Sequence, residues 1–180
     1  MTTKQKKMLS LVALGGGAAF LIYKLMGNAR AKAISIIKEF EGLEVLNDDG
    51  SVSAYYDQGG VPTIGWGTTR YSNGQDVRIG DTITQARAEQ ELNSEVDEKQ
   101  QGVKELVTVP LSENQLAALI SLAYNIGLGA LQSSSLLRKL NQGSNMQDVA
   151  NEFDRWVNVN GAPVSGLIRR RKEEKQLFLS

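Results

Sequence analysis

Residues 34–69 read ISIIKEFEGLEVLNDDGSVSAYYDQGGVPTIGWGTT, and this stretch determines the fold that we expect for the whole chain. Apolar residues recur at positions 34, 37 and 40, which predicts a helix over residues 31–41. Candidate strands rich in aromatic and β-branched residues follow, separated by turn signals. A small antiparallel sheet over residues 43–67 is therefore predicted to follow directly on that helix.

Three side chains of this stretch are candidate catalytic groups: Glu41, Asp57 and Thr63. Hydrolysis of a glycosidic bond needs an acid for the leaving oxygen and a second polar group that holds a water, or attacks, on the other face of the sugar. Glu41 suits the first role, because apolar neighbours would bury it and favour the protonated form. Asp57 lies in a glycine turn, and glycines near Thr63 let a ligand approach the backbone closely. Each residue alone also has an ordinary interpretation, as a solvated charge, a turn residue and a strand former.

The combination of these groups is more informative than any one of them. FEGL at residues 40–43, followed by AYYDQGGVPTIGWGTT at residues 54–69, resembles the phage-lysozyme family, glycoside hydrolase family 24. The pattern of that family is Glu-Gly, Tyr-x-Asp, a glycine turn and Thr-Ile-Gly-x-Gly-x-Thr. The resemblance continues through VPLSENQLAALISLAYNIGLGALQSSSLLRKLNQG and ends near GLIRRRKEEKQLF, so that it covers residues 34–178.

The resemblance implies an α+β, lysozyme-like fold, with a small antiparallel sheet near the amino end, a mostly helical body and a cleft between them. It implies an endolysin that hydrolyses the β-1,4 bond between N-acetylmuramic acid and N-acetylglucosamine in peptidoglycan and lyses the host cell. Glu41 would be the general acid, and Asp57 and Thr63 would hold the attacking water, which implies inversion. The glycan strands would be the partner of a monomer that needs no cofactor or metal and binds no nucleic acid. Further candidates for sugar contacts lie nearby: Tyr55, Tyr56, Gln58, Trp66 and Arg70.

The connection between the acid and the water-holding pair is longer than in the family. Fifteen residues separate Glu41 from Asp57, and we place the extra length in residues 46–51, where Asp49-Gly50 is a hairpin turn signal. Five residues separate Asp57 from Thr63, as the family pattern requires, so the insertion leaves that pair intact.

The insertion leaves two alternatives for the acid, Glu39 and Glu44. We favour Glu41 because a glycine follows it and Phe40 precedes it, as in the family pattern.

Composition excludes several other chemistries. The 180 residues predict one domain with an appendage, and 41% hydrophobic with 22% charged residues is ordinary for a globular protein. The sequence contains no cysteine, which excludes a disulfide framework. It also contains no histidine, which excludes a Ser-His-Asp triad and disfavours a zinc amidase.

The net charge of zero hides an asymmetry between the amino end and the rest. Residues 1–30 carry five basic and no acidic residues, so the remainder carries 15 basic and 20 acidic residues. Bulk charge therefore does not indicate a nucleic-acid-binding surface. Residues 169–172, Arg-Arg-Arg-Lys, form one local basic patch. It is either a solvated helix end that favours the helix dipole or a contact for anionic wall polymer.

Residues 8–23, MLSLVALGGGAAFLIY, are an uncharged run between basic flanks. The run could be a cleaved signal peptide, a buried core helix or a weak membrane anchor. We favour the anchor, because the run falls short of the roughly 20 apolar residues of a spanning helix and its glycines and alanines permit release. In the phage-lysozyme family such a segment resembles the signal-arrest-release type. Residues 8–26 would be inserted in the inner membrane by the secretion machinery with the amino terminus in the cytoplasm, and release would free the enzyme into the periplasm.

The predicted domains are therefore a signal-anchor segment, residues 1–30, and a catalytic domain, residues 31–180. Within the latter, a helix capped by Thr82 or Thr84 is expected to end at Gly102. Ser112 and Gln115 form a capping box before the central core helix, for which Gly127 would be a left-handed cap. Further helices are expected from residues 133–135 to 140, over residues 146–156, and from 165 onward. Asn125 and Trp156 are each assigned a helix-end or core role in preference to a sugar contact.

Two rival functions remain. A lytic transglycosylase cuts the same bond with one glutamate, but Asp57 and Thr63 in their family positions argue against it. A non-catalytic, membrane-tethered wall-binding protein is the other alternative, and the presence of all three candidate groups argues against it.

Overall fold

A computed structural model describes residues 16–57 and 59–180, and the side chains of the first helix from residue 27 onward. The helices are α1 (Gly16–Glu41), α2 (Gln85–Leu106), α3 (Glu113–Ile126), α4 (Leu128–Gln132), α5 (Ser135–Asn141), α6 (Met146–Ala150), a 3-10 helix (Asn151–Arg155) and α7 (Ser165–Leu179). The strands are β1 (Ser51–Ser53), β2 (Tyr55–Tyr56), β3 (Pro62–Thr63), β4 (Thr82–Thr84), β5 (Asn158–Val159) and β6 (Ala162–Pro163). Short strands near the amino end followed by a helical body confirm the predicted α+β organisation.

Helix α1 carries Glu41 as its last residue. It runs well ahead of the predicted start at residue 31, and the proposed domain boundary at residues 30 and 31 falls inside it. Ala29, Ala33 and Ile37 are fully buried and recur every four residues, so one face of α1 packs on the helical body.

The predicted membrane segment, residues 8–26, lies outside the residues whose side chains the structure describes. Over the part of the chain that was described, no helix combines the length and the apolar character that crossing a membrane requires.

Helix α3 is the centre of the core, as predicted. Its nine consecutive residues from 116 to 124 are all buried, and it packs against α1, α2 and α7. The capping box is confirmed, since the Ser112 hydroxyl accepts from the Gln115 amide and the Gln115 side chain accepts from the Ser112 amide. Gly127 follows with a φ of 82° and a ψ of 153°, so the glycine is required by its positive φ but is not in the left-handed helical conformation that was predicted.

The strands form three separate antiparallel pairs instead of the one sheet predicted over residues 43–67. β2 pairs with β3 inside that range, but β1 pairs with β4, and β5 pairs with β6. Of the two predicted caps, Thr84 is confirmed and Thr82 is not: residues 82–84 form β4, in which Ile83 pairs with Val52 and packs on the small core beneath the strands. The β5–β6 hairpin replaces a predicted loop, and its turn residues Asn160 and Gly161 both have positive φ, as Asn-Gly turns prefer.

Two further helix predictions are corrected. Thr84 caps α2 as expected, but α2 continues through Gly102 to Leu106. Gly102 is there for packing, because a Cβ at this position would lie 2.3 Å from Cδ1 of Leu128. The single helix predicted over residues 146–156 is α6 followed by the 3-10 helix.

Candidate active site

Glu41 lies where the first helix meets the strands. Gly42 ends α1 with a φ of 68°, and the Glu41 side chain is left 22% exposed. Its Oε1 accepts a hydrogen bond of 2.5 Å from Nη1 of Arg170, on α7. A Cβ on Gly67 would lie 3.3 Å from the other carboxyl oxygen, so a glycine there lets the loop after β3 approach the acid. The rival acids Glu39 and Glu44 are both exposed.

Asp57 is fixed by the turn that joins β2 to β3. Its Oδ1 accepts from the backbone amides of Gly59 at 2.9 Å and Val61 at 2.7 Å. Among the described residues of the turn, Gly59 and Val61 use one carboxyl oxygen of this exposed aspartate. This is the local hydrogen bonding for which aspartate is favoured in turns.

Thr63 is buried, with 3% of its surface exposed. Its hydroxyl donates to the carbonyl of Val61 at 3.0 Å. Because a hydroxyl has one proton, Thr63 Oγ1 can only accept from a further partner. A water bound here would thus donate a hydrogen bond to Thr63 Oγ1, and its lone pairs would remain free to face another group.

Tyr55 lies near all three candidate groups. It pairs with Thr63 in the β2–β3 register. Burial raises the pKa of its hydroxyl, and together with the nearby carboxylates of Glu44, Glu41 and Asp57 it brings that pKa to about 12. The carboxylates of Glu41 and Asp57 therefore both influence the hydroxyl of Tyr55, and Thr63 is the residue opposite Tyr55 in the strand pair.

Half of the basic patch at residues 169–172 differs from the prediction, since Arg169 and Lys172 are exposed but the two residues between them are not. Arg170 and Arg171 are buried, so this pair is neither a solvated helix end nor a wall contact, and both residues lie in the first half of α7. They pair with the fully buried Glu174, at 3.2 Å from Arg170 Nε and 2.9 Å from Arg171 Nη1. Burial raises the pKa of Glu174, although the two arginines oppose this shift. Burial also lowers the pKa of Arg171 and outweighs the opposing effect of Glu174, so that this pKa falls to about 10. The spacing Arg170–Glu174, beside apolar residues at 167, 168, 177 and 178, was a signal that could have suggested this burial.

Two of the candidate sugar contacts are exposed. Tyr56 is exposed, and so is Arg70, whose Nε donates to the carbonyl of Gly74 at 2.8 Å and thereby closes its own loop. Gln58 lies outside the described residues.

Trp66 belongs to the core. It is 5% exposed, its carbonyl accepts from the Tyr124 hydroxyl at 2.6 Å, and the Lys38 ammonium lies 4.4 Å from its ring centroid. Burial raises the pKa of the Tyr124 hydroxyl, in line with its role as a donor. Asn125 accepts a 2.5 Å hydrogen bond from Arg171, and half-buried Trp156 packs against the core.

Comparison with known proteins identifies a family that includes most of this chain. Residues 38–174 match the family model for phage lysozyme, which is more than half of the chain. The chain is 41% identical over 154 residues to the endolysin of Bacillus phage B103, covering 85% of this chain and 54% of that protein. It thus spans about half the length of this relative.

Two other similar proteins are matched over more of their own length. The SAR-endolysin of Enterobacteria phage P21 is 31% identical over 167 residues, which is 93% of this chain and 91% of that protein. The solved structure of the endolysin from Escherichia coli O157:H7 phage FAHEc1 superposes with a TM-score of 0.71 and 37% identity, over 83% of this chain and 91% of that one. The match to the family model and these relatives together show that the chain belongs to the phage lysozyme family.

Proposed function

We propose that this protein is an inverting muramidase, an endolysin that hydrolyses the β-1,4 bond between N-acetylmuramic acid and N-acetylglucosamine in peptidoglycan. The observation that carries the proposal is the arrangement around Tyr55, which pairs with Thr63 and whose hydroxyl lies in the electrostatic field of the carboxylates of Glu44, Glu41 and Asp57. An acid and a water-holding pair at one site are what inverting hydrolysis requires.

Each of the three residues has a separate role. Glu41, held by Arg170, gives its proton to the leaving oxygen of the glycosidic bond. Asp57 takes one proton of the water through its Oδ2, while Thr63 Oγ1 accepts a hydrogen bond from the other proton, which stays on the attacking oxygen. The water then attacks the anomeric carbon from the face opposite the leaving group, and the product has the inverted configuration.

The test is turbidity clearance of isolated peptidoglycan by the full-length chain, wild type beside Glu41→Gln, with mass spectrometry of the products. We expect Glu41→Gln to lose at least about 100-fold in rate, because general acid catalysis contributes roughly that much or more. Glu39→Gln is the matched control: it removes the same charge from an exposed position two residues away and should stay near wild type. Products should carry reducing N-acetylmuramic acid ends. Full clearance by Glu41→Gln would refute the assignment, and anhydro ends would identify a lytic transglycosylase.

We further propose that residues 8–26 tether the enzyme to the inner membrane after export by the secretion machinery, that release places it in the periplasm, and that the host cell is then lysed. Two observations support this proposal. SAR-endolysins are among the relatives of the chain. Residues from Gly16 to Glu41 form one helix, which joins the anchor segment to the acid. At 1.5 Å per residue, the helix from residue 27 to Glu41 would project the acid only about 22 Å from the bilayer.

Tethering should therefore suppress activity. The measurement compares wall clearance by the full-length chain inserted in vesicles with clearance by the same chain released from them into solution. We expect the inserted enzyme to be the less active of the two. Equal rates of wall clearance by the inserted and released forms would contradict control by the membrane but would leave the proposed hydrolysis unaffected.

A further inference from the structure

The guanidinium of Arg170 is divided between two carboxylates. Nη1 donates to Glu41 at 2.5 Å, and Nε donates to Glu174 at 3.2 Å. Nη2 donates to the carbonyl of Ser121 at 3.3 Å. Arg170 is buried, so these protein groups take the place of solvent around its charge.

Glu174 is itself held in place from two other directions. The Ser121 hydroxyl donates to its Oε1 at 2.6 Å, and the guanidinium of Arg171 lies 2.9 Å from its Oε2. Arg171 in turn donates to the side chain of Asn125. Hydrogen bonds and charges from α3 and α7 thus fix Glu174, and Glu174 fixes the side of Arg170 that faces away from Glu41.

We propose that Glu174 is a positioning residue of the active site that, through Arg170, sets the pH at which the acid Glu41 loses its proton. The inference deepens the proposed function and rests on it, because it presupposes that Glu41 must be protonated for turnover. Glu174 has no contact with the substrate in this proposal; it acts only on the residue that holds the acid.

The direction of the effect follows from charge. A neighbouring positive charge favours an ionised carboxylate, and Glu174 offsets part of the positive charge that Arg170 presents to Glu41. Removing the charge of Glu174 leaves Arg170 to act on Glu41 alone and leaves Arg171 without its carboxylate. Both changes favour ionised Glu41.

The other groups that face Glu41 stay as they are. Glu44 and Asp57 act with it on the hydroxyl of Tyr55, and Tyr124 lies under the fields of Glu41, Glu95 and Arg170. None of them is altered by a change at Glu174, so the acid should ionise at a lower pH.

The experiment is the pH profile of kcat and KM on soluble glycan strands for the full-length wild type and Glu174→Gln. We expect the alkaline limb of kcat to move down by about half to one pH unit, which is roughly a three- to tenfold loss on that limb, with KM nearly unchanged. Glu173→Gln is the matched control, because Glu173 carries the same charge on the same helix but lines a surface groove with Ile36 and Leu177. A folded Glu174→Gln enzyme with an unmoved limb, or an equal movement in Glu173→Gln, would overturn the proposal.

Glu174→Gln leaves Arg171 buried without a carboxylate, and the variant could fail to fold for that reason alone. Circular dichroism reports this, and the double variant Glu174→Gln/Arg171→Met then replaces it, since a buried pair is best removed as a unit. The alkaline limb of kcat in the double variant should also move to lower pH, by a smaller amount. An unmoved alkaline limb in the folded double variant would also overturn the proposal. Glu41→Gln in the same assay separates the two ideas: if it remains active, the proposed function has failed, whereas an inactive Glu41→Gln beside an unmoved limb refutes only the role of Glu174.

Discussion

Val45 has the least favourable backbone conformation among the non-glycine residues described. Its φ is 53°, although it is β-branched, and its carbonyl is held by the amide of Ser53 at 3.1 Å. A β-branched side chain in this region is strained, at a cost of about 1–2 kcal/mol. Val45 is also 46% exposed, so its side chain returns little burial energy.

Val45→Asn should therefore stabilise the protein, because asparagine tolerates positive φ. We expect the free energy of unfolding to rise by about 1 kcal/mol and the melting temperature by roughly 2–4 °C for a chain of this size. Leu46→Asn is the control, since Leu46 is also exposed and its φ is not positive. Calorimetry showing no gain in Val45→Asn, or the same gain in Leu46→Asn, would contradict the account.

At the level of single residues, the candidates for chemistry could be named from the sequence, but the residue that holds Glu41 could not. Glu41, Asp57 and Thr63 lie in one contiguous motif, so local pattern is enough to nominate them. Arg170 contacts Glu41 across 129 positions of sequence. The spacing Arg170–Glu174 could have suggested that Arg170 is buried, but a run of four basic residues carries no information about a partner as distant as Glu41.

Between elements, α2 and α4 meet at a site where a side chain on α2 would require Leu128 to move. A Cβ on Gly102 would lie 2.3 and 2.6 Å from the two terminal carbons of Leu128. Alanine is the better helix former by about 1 kcal/mol, but overpacking costs typically 1–3 kcal/mol. We expect the second effect to prevail, so that Gly102→Ala lowers the free energy of unfolding.

The matching test is a double-mutant cycle in denaturant with Gly102→Ala, Leu128→Ala and the combined variant. Leu128→Ala alone removes half-buried apolar surface and should destabilise. The combined variant should lose less free energy of unfolding than the two single variants lose together, by roughly 1 kcal/mol or more, because the clash is absent. Simple additivity would show that Gly102 is not required by Leu128.

The difference between local and distant partners explains which helix boundaries could be predicted. Thr84 and Ser112 satisfy backbone amides within three residues of themselves, so their caps are visible in the local sequence. Gly102 looks like a helix stop by that same local criterion, yet its partner Leu128 lies on another helix. The Asn160-Gly161 turn was a local signal for a hairpin, but the flanking strands are only two residues each and gave no periodicity.

For the whole molecule, the position at which the folded body begins is open to measurement. Ala29 is fully buried, and Arg30 pairs with Asp97 at 2.6 Å and donates to the side chain of Asn93 at 2.8 Å. A chain of residues 31–180, cut at the boundary predicted from sequence, loses these contacts, whereas a chain of residues 27–180 keeps them.

We expect residues 31–180 to be less stable than residues 27–180 by about 2 kcal/mol, from lost burial and a partly exposed ion pair. For a chain of this size the loss corresponds to a melting temperature roughly 4–8 °C lower. Thermal unfolding of the two chains side by side measures it. Equal melting temperatures would place the start of the domain at residue 31 after all.

The hydrogen bond between Glu41 and Arg170 also bears on the order in which the site is assembled. It closes a loop of 129 residues, and contacts of such high sequence separation are slow to form because the chain entropy is lost before the contact is gained. During synthesis the ribosome delivers Glu41, Asp57 and Thr63 early and Arg170 late. A partly translated chain thus contains all three candidate groups and still lacks the arginine that holds Glu41. Under the proposed function, wall hydrolysis would begin only after α7 has been made.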